Sequence, residues 1–351
     1  MASILSAAKR LGDYRYTQEE VEPWLRRWLD GSGEALELLL RMARNSQVAA
    51  RASAVPIEEV FRERSFEEKN DLYTQKAIEL AEEAARRALG QAGVAPEEID
   101  LIISVSCTGF MIPSVDAHLI NRLEMRPDTK RLPMTEMGCA AGATALARAS
   151  EYLRAFPRHK ALVLSVELAT LTFQPGDLSM DNLVSAAIFG DGAAAAVLAG
   201  DTRRPGARIV DCRTTTLPGT TGLMGFHLSN SGFRIILSKE IPSAVRARVK
   251  PVVEGFLRDN GLSLQDIRHF VFHPGGKRIL EVYHSELGLP EESLRFSAKV
   301  LREHGNLSSS SVLVILEEVL RSGEAEAGDN GLLLAMGPGF TIEQLLLRWN
   351  D

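Results

Sequence analysis

The stretch GVAPEEIDLIISVSC, residues 93–107, runs through a turn into an apolar strand that stops on Cys107, and GLSLQDIRHFVFHPGG, residues 261–276, does the same and stops on His273. Short apolar runs of this kind, bounded by turn residues, read as buried strands. Farther on, MGCAAGATALARASEYL (residues 137–153) matches HGNLSSSSVLVILEEVL (residues 304–320): a glycine, one polar or reactive residue, a run of small residues, then a helix. The separations are nearly equal, 32 residues from Cys107 to Cys139 and 33 from His273 to Asn306. Each half then closes on a Gly-Asp turn and an apolar strand, FGDGAAAAVLAG (residues 189–200) and AGDNGLLLAMGPGF (residues 327–340). The pattern predicts two copies of one α/β unit related by a pseudo-two-fold axis. Cys139, His273 and Asn306 then converge near that axis.

Outward from this pair, the sequence alternates helix and strand from about Lys69, which argues for a layered α/β architecture. Ahead of it, YTQEEVEPWLRRWLD (residues 16–30) carries a capping box at Thr17 and Glu20, and GEALELLLRMAR (residues 33–44) has a helical apolar period. Residues 1–68 therefore read as a helical region packed on the core, 69–205 as the half with the cysteine, and 206–351 as the half with the histidine and asparagine.

Of the 351 residues, 45% are hydrophobic and 25% charged, as in ordinary globular proteins. The net charge is -6, with basic and acidic residues mixed as in ELAEEAARRAL (residues 79–89), so no footprint for nucleic acid is present. No apolar run is long enough to span a bilayer and the start lacks a signal core, so a cytoplasmic protein without a membrane partner is expected. Three cysteines, Cys107, Cys139 and Cys212, are too few for a disulfide framework and lack zinc-site spacing, so no metal is expected.

Cys139 stands at a predicted helix start, where free N–H groups and the dipole favour a thiolate; taken alone it equally fits a small buried core residue. His273 falls at a strand's carboxyl end beside a glycine turn, where α/β folds build sites, though a lone histidine there also serves structure. Asn306 reads as a helix N-cap, yet its amide also supplies a donor, and with a histidine N–H it makes an oxyanion hole worth about 2.7–4 kcal/mol per donor. GPGF (residues 337–340) forces a close backbone turn that forms either a cavity wall or a plain turn.

Together these segments resemble the type III polyketide synthases, the chalcone-synthase-like branch of the thiolase-fold condensing enzymes. GCAAG with Cys139, HPGG with His273, GNLSSSS with Asn306, FGDGAAA and GPGF stand in that family's order. The resemblance implies a thiolase-like αβαβα fold and a homodimer in which the loop at Met111, Ile112 and Pro113 reaches toward the partner's cavity. It implies that Cys139 takes an acyl starter from acyl-CoA, that His273 and Asn306 hold malonyl-CoA while it loses carbon dioxide, and that His273 favours the Cys139 thiolate as an ion pair. No cofactor is implied beyond the CoA substrates. It further implies that Phe189 and Ile235 hold the two gate positions, that Phe226 narrows the cavity where chalcone synthases carry glycine, and that Leu171, Thr172 and Ser308 line it. Gly337 and Pro338 would shape its wall. Cys107, in SCTGFMIPS, resembles the second cavity cysteine of bacterial tetrahydroxynaphthalene-forming members, or else simply ends a buried strand. Arg41 matches a basic residue that contacts CoA phosphates in plant members, although Leu38 and Asn45 flank it.

Two other readings are open to the sequence. One is an enzyme of the ketoacyl synthase III type, which takes malonyl from a carrier protein; HPGG and GPGF speak against it. The other is a non-catalytic thiolase-fold subunit, and the presence of all three residues Cys139, His273 and Asn306 speaks against that.

Overall fold

A computed structural model describes residues 1–200, 202, 204 and 206–350; residue 205, where the first half is expected to end, and residue 351 lie outside the described set. The chain begins with strand β1 (Ala2–Leu11), followed by a small ribbon of β2 (Tyr14–Thr17) and β3 (Ala50–Ser53) among helices α1 (Gln18–Trp28), α2 (Gly33–Asn45) and α3 (Ile57–Val60). The rest of the first half is α4 (Phe66–Ala92), β4 (Leu101–Val105), α5 (Val115–Arg122), β5 (Lys130–Met134), α6 (Ala141–Ala155), β6 (Lys160–Leu168), α7 (Met180–Ile188) and β7 (Asp191–Ala199). The second half starts with β8 (Gly206–Thr216), the hairpin β9 (Met224–Ser229) and β10 (Gly232–Leu237), and α8 (Ile241–Asp259). It ends with β11 (Ile267–Phe272), α9 (Lys277–Leu287), α10 (Arg295–His304), α11 (Ser311–Ser322), β12 (Asn330–Gly337) and β13 (Thr341–Asn350).

Nine strands join in one mixed sheet of order β11-β12-β13-β8-β1-β7-β6-β4-β5. Alternate side chains of its strands enter different cores, because successive strand residues face opposite ways. Val163 of β6 and Leu333 of β12 meet α6 and α11 in a shared central core. Leu162 and Leu164 of β6 face α4, and Leu332 and Leu334 of β12 face α8 and α9. The continuous sheet folds around the central core, so the layers run helix, sheet, helix, sheet, helix, as the resemblance implies. Helix α4 lies flat on the sheet because Ala77, Ala81, Ala84, Ala85 and Ala88 form its buried face; it starts at a Ser65–Glu68 capping box and stops at left-handed Gly93.

Two expectations need correction. Residues 1–68 do contain α1 to α3, and the Thr17–Glu20 capping box forms. Yet residues 2–11 are a central strand, with β1 bonded to β7 and, across the join of the two halves, to β8. The segment ASILSAAKRL offers only small and mixed residues, and its strand state comes from partners about 190 residues away. Second, FGDGAAAAVLAG and AGDNGLLLAMGPGF are not equivalent strands. β12 runs parallel to β11 as β6 runs parallel to β4, whereas β7 and β13 are the antiparallel strands that follow. The counterpart of β7 is therefore β13. Among the described residues no helix is long and apolar enough to cross a membrane.

Candidate active site

The small residues flanking Cys139 and Asn306 let two helix starts press together. A 3₁₀ turn, Gly138–Ala140, leads into α6 and another, Ser308–Ser310, leads into α11. A Cβ on Gly142 would lie 2.2 Å from the Ser309 carbonyl oxygen, and one on Gly138, at φ +48°, would lie 2.4 Å from the Pro338 ring. Ser165 of β6 pins the second turn through the hydroxyls of Ser309 (2.8 Å) and Ser310 (2.7 Å). At the junction, the Ser308 hydroxyl lies 3.4 Å from Cys139 Sγ and 3.6 Å from Cys107 Sγ.

Behind Cys107 sits a carboxylate that the sequence reading missed. Glu167, fully buried on β6, accepts from the Cys107 N–H at 3.1 Å, the Thr108 hydroxyl at 2.8 Å and the Ser309 hydroxyl. Burial raises its pKa, and burial with the nearby Glu167 charge pushes the Cys107 thiol well up. The signal was one acid near the end of the largely apolar strand KALVLSVEL, since a lone carboxyl in a buried strand requires several donors.

His273 ends β11 with its N–H donating to the Leu334 carbonyl at 2.8 Å and its own carbonyl accepting from the Tyr283 hydroxyl at 3.3 Å. Its ring is buried, with Nδ1 lacking a partner, and burial lowers its pKa to about 4. Burial likewise pushes the Cys139 thiol up to about 11, against the Ser308 contact that lowers it. In both cases the shift comes from burial, which disfavours the charged form of the group. Asn306 is held on both ends of its amide: Nδ2 donates to the Gly275 carbonyl at 2.8 Å, and Oδ1 accepts from the Ser308 N–H at 2.8 Å. These bonds connect the HPGG turn that follows β11 to Asn306, Ser308 and Cys139. The Asn306 backbone also clips the end of α7, bonding Ile188 at 2.8 Å and Gly190 at 3.1 Å.

A cavity opens beside Cys139. Cys107, Cys139, Thr172, Phe189, Phe226, Ile235, Ser308 and Pro338 all line it, together with Thr108, Ala169 and Ser185, which sequence reasoning did not name. Phe226 and Ile235 are direct cross-strand partners on the β9–β10 hairpin, which explains why both face inward. Phe226 packs edge-on against Phe233 at 5.7 Å, and Phe233 against Phe66 at 5.5 Å. The hairpin is tied down by Lys69, whose Nζ donates to the carbonyls of Phe173 (2.9 Å) and Ser231 (3.2 Å).

Other expected residues lie elsewhere. Leu171 packs into the core beneath α4, because the 3₁₀ turn Ala169–Leu171 points it away while turning Ala169 and Thr172 toward the cavity. Gly337 is a buried close-contact position against the Met137 carbonyl, not part of the wall. Arg41 is exposed on α2. His273 and Asn306 are outside this wall; Asn306 connects to it through the Ser308 N–H and its bridge to Phe189, while the hydrogen bonds of His273 run to Leu334 and Tyr283.

Family models for chalcone and stilbene synthases match most of the chain, the N-terminal domain over residues 53–202 and the C-terminal domain over residues 208–350. The chain belongs to the chalcone and stilbene synthase family. It is 37% identical over 361 residues to a putative chalcone synthase of Bacillus subtilis, covering 99% of each chain. It is 39% identical over 351 residues to a 1,3,6,8-tetrahydroxynaphthalene synthase of Streptomyces peucetius, covering 99% of this chain and 93% of that one. The crystal structure of 1,3,6,8-tetrahydroxynaphthalene synthase from Streptomyces coelicolor, a bacterial type III polyketide synthase, superposes with a TM-score of 0.96 at 33% identity, covering 99% of both chains. The fold is thus thiolase-like, and the chain is a bacterial-type type III polyketide synthase, an acyltransferase that uses CoA thioesters. The match favours the polyketide branch over the carrier-protein-dependent ketoacyl synthase type.

Proposed function

We propose that this synthase extends an acyl starter with malonyl-CoA by decarboxylative Claisen condensation and cyclises the product to an aromatic or pyrone ring, of the tetrahydroxynaphthalene or alkylpyrone type. Cys139 attacks the starter thioester, forming a new thioester; neutral His273 takes up the thiol proton and passes it to the departing CoA thiolate, which leaves as CoA-SH. Malonyl-CoA then loses carbon dioxide, and the electrons left on carbon become an enolate whose oxygen is held by His273 and Asn306. That carbon attacks the Cys139 thioester, a carbon–carbon bond forms, and Cys139 leaves as thiolate. Fixed donors aimed at the enolate oxygen stabilise charge that exists only in the transition state and intermediate, so they raise the rate and not merely the binding.

The observation carrying this reading is the amide of Asn306. Its Nδ2 has two hydrogens, of which the Gly275 carbonyl takes one at 2.8 Å, leaving the second for a substrate oxygen in an amide already fixed in orientation. The reaction needs neither cofactor nor metal beyond its CoA substrates. The working unit is a cytoplasmic homodimer, for which the exposed apolar side chains Phe110 and Ile112, the latter 84% exposed, offer a contact surface. Incubating the enzyme with acyl-CoA and either malonyl-CoA or malonyl carrier protein tests the reading. Products should form from malonyl-CoA, with acyl loading lost in Cys139→Ala; dependence on the carrier protein would overturn it.

A further inference from the structure

The β9–β10 hairpin forms one side of the Cys139 cavity through Phe226 and Ile235, and the segment after β6 forms another through Ala169 and Thr172. The hairpin is a two-stranded sheet of its own and takes no part in the nine-stranded one, so its placement falls to side chains. A buried polar cluster supplies it. Lys69 of α4, only 7% exposed, donates from Nζ to the Phe173 carbonyl at 2.9 Å, to Gln174 Oε1 at 3.2 Å and to the Ser231 carbonyl in the hairpin turn at 3.2 Å. Gln174 completes the cluster, its Nε2 donating to the Thr172 carbonyl at 3.1 Å and to the Phe233 carbonyl of β10 at 3.2 Å. The two facing sides of the cavity are thus bonded to one another through a single ammonium and a single amide.

Three acceptors around one nitrogen call for three hydrogens, which the ammonium carries and the neutral amine, with two, does not. No carboxylate offsets the buried charge: Lys69 is in none of the ion pairs among the described residues. The acids of the neighbouring elements are engaged elsewhere, Glu68 with the Ser65 N–H at 2.9 Å, Asp177 with Arg234 at 3.2 Å and Asp181 with the Leu237 N–H at 2.9 Å. Arg64, itself paired with Glu59, acts on Lys69 with the same sign, and on the hairpin His227 and Arg234 are exposed cross-strand partners. An apolar side chain of similar length fills such a site at less cost. What the ammonium adds is the three-way bond.

We infer that Lys69 is a positioning residue that sets product length, its ammonium fixing the Phe226–Ile235 wall at one distance from Thr172 so that the cavity accepts a growing chain of one size. It touches no substrate and acts through the hairpin. Losing one of its three bonds shifts the balance between the fixed and the displaced hairpin about fivefold, and a displaced hairpin leaves room for a further two-carbon extension. Burial, with Arg64 adding to it, brings the ammonium down to about 8, so the third hydrogen is present below that pH and lost above it. The inference rests on the proposed extension chemistry at Cys139.

The test gives the full chain malonyl-CoA, alone and with hexanoyl-CoA, at about pH 7 and about pH 9, on either side of the Lys69 transition, and reads product masses. Lys69→Met removes the donors and Lys69→Arg keeps a charged donor at both pH values. In the parent the ratio of longer to shorter products should rise about fivefold between the two. Lys69→Arg should hold the lower ratio throughout, and folded Lys69→Met should show the raised ratio throughout, while acyl loading of Cys139 and decarboxylation of malonyl-CoA are retained. A merely structural role would lower those rates together and leave the ratio alone. An unchanged ratio in folded Lys69→Met would overturn the inference; should that variant not fold, an identical pH response in the parent and in Lys69→Arg would do so. Failure of the parent Cys139 to load any acyl group is a separate result, and it would overturn the proposed function and this inference with it.

Discussion

Replacing Asn306 by alanine separates its two duties, because the side chain makes one set of bonds to the protein and keeps one hydrogen for substrate. Its Oδ1 accepts from the Ser308 N–H and its Nδ2 donates to the Gly275 carbonyl, both at 2.8 Å. Removing it strands the buried Ser308 N–H, a loss of about 1–3 kcal/mol, while the Gly275 carbonyl is only half-buried and recovers part of its bond from water. The folded variant should therefore melt a few degrees lower, at roughly 2–4 °C per kcal/mol for a large domain. The free N–H lost from the enolate site should slow malonyl-CoA decarboxylation about 10²–10³-fold. Asn306→Asp refines the test, since its carboxylate still accepts from Ser308 but presents negative charge to the developing enolate. It should keep most of the stability and lose the same activity. Acetyl-CoA formation from malonyl-CoA, followed by chromatography, reads the chemistry, and intact-mass measurement of acylated Cys139 reads loading separately. Loading should survive in both variants. A folded Asn306→Asp enzyme that decarboxylates at the parent rate would refute the role given to this amide.

Phe226→Gly should lengthen the products or widen the starters accepted, because it removes the ring that narrows the cavity; an unchanged product mass spectrum would count against that. Glu167→Ala leaves the Cys107 N–H, the Thr108 hydroxyl and the Ser309 hydroxyl without their acceptor, so stability should fall by about 3 kcal/mol or more, whereas Glu167→Gln, which keeps an acceptor oxygen, should fall less in chemical denaturation. Burial holds the Lys69 ammonium down to about 8, below its ordinary value of 10.5. Its cationic form is therefore disfavoured in the fold: between those values the unfolded chain binds more protons, and this group's contribution to stability improves as pH rises from about 8 toward 10. Lys69→Met should remove that part of the pH slope in thermal melts, and an identical slope would contradict the burial argument.

The divergence between sequence and structure follows the reach of the interactions. His273 at a strand end, Cys139 and Asn306 at matched helix starts, and the runs of small residues around them were legible because each is a local pattern, and the glycines announce close approach wherever the partner lies. The strand state of residues 2–11 was not, since ASILSAAKRL owes its conformation to β7 and β8. The roles of β7 and β12 were confused for the same reason: both are apolar strands after a Gly-Asp turn, and only pairing direction distinguishes them. An expected thiolate at Cys139 followed from the helix start alone; the tertiary structure adds the burial that opposes it.

What the residues by themselves determined, then, was the duplicated α/β unit, with Cys139 and Asn306 at matched helix starts and His273 at a strand end, all written in short periodicities and backbone requirements. Only tertiary structure decided which faces of one turn look into the cavity, setting Thr172 inside and Leu171 in the core, and which distant groups stand behind the wall, such as Glu167 and Lys69. Side-chain direction at a turn and the space left between packed elements are sums over many long-range contacts, and no local stretch of sequence contains those sums.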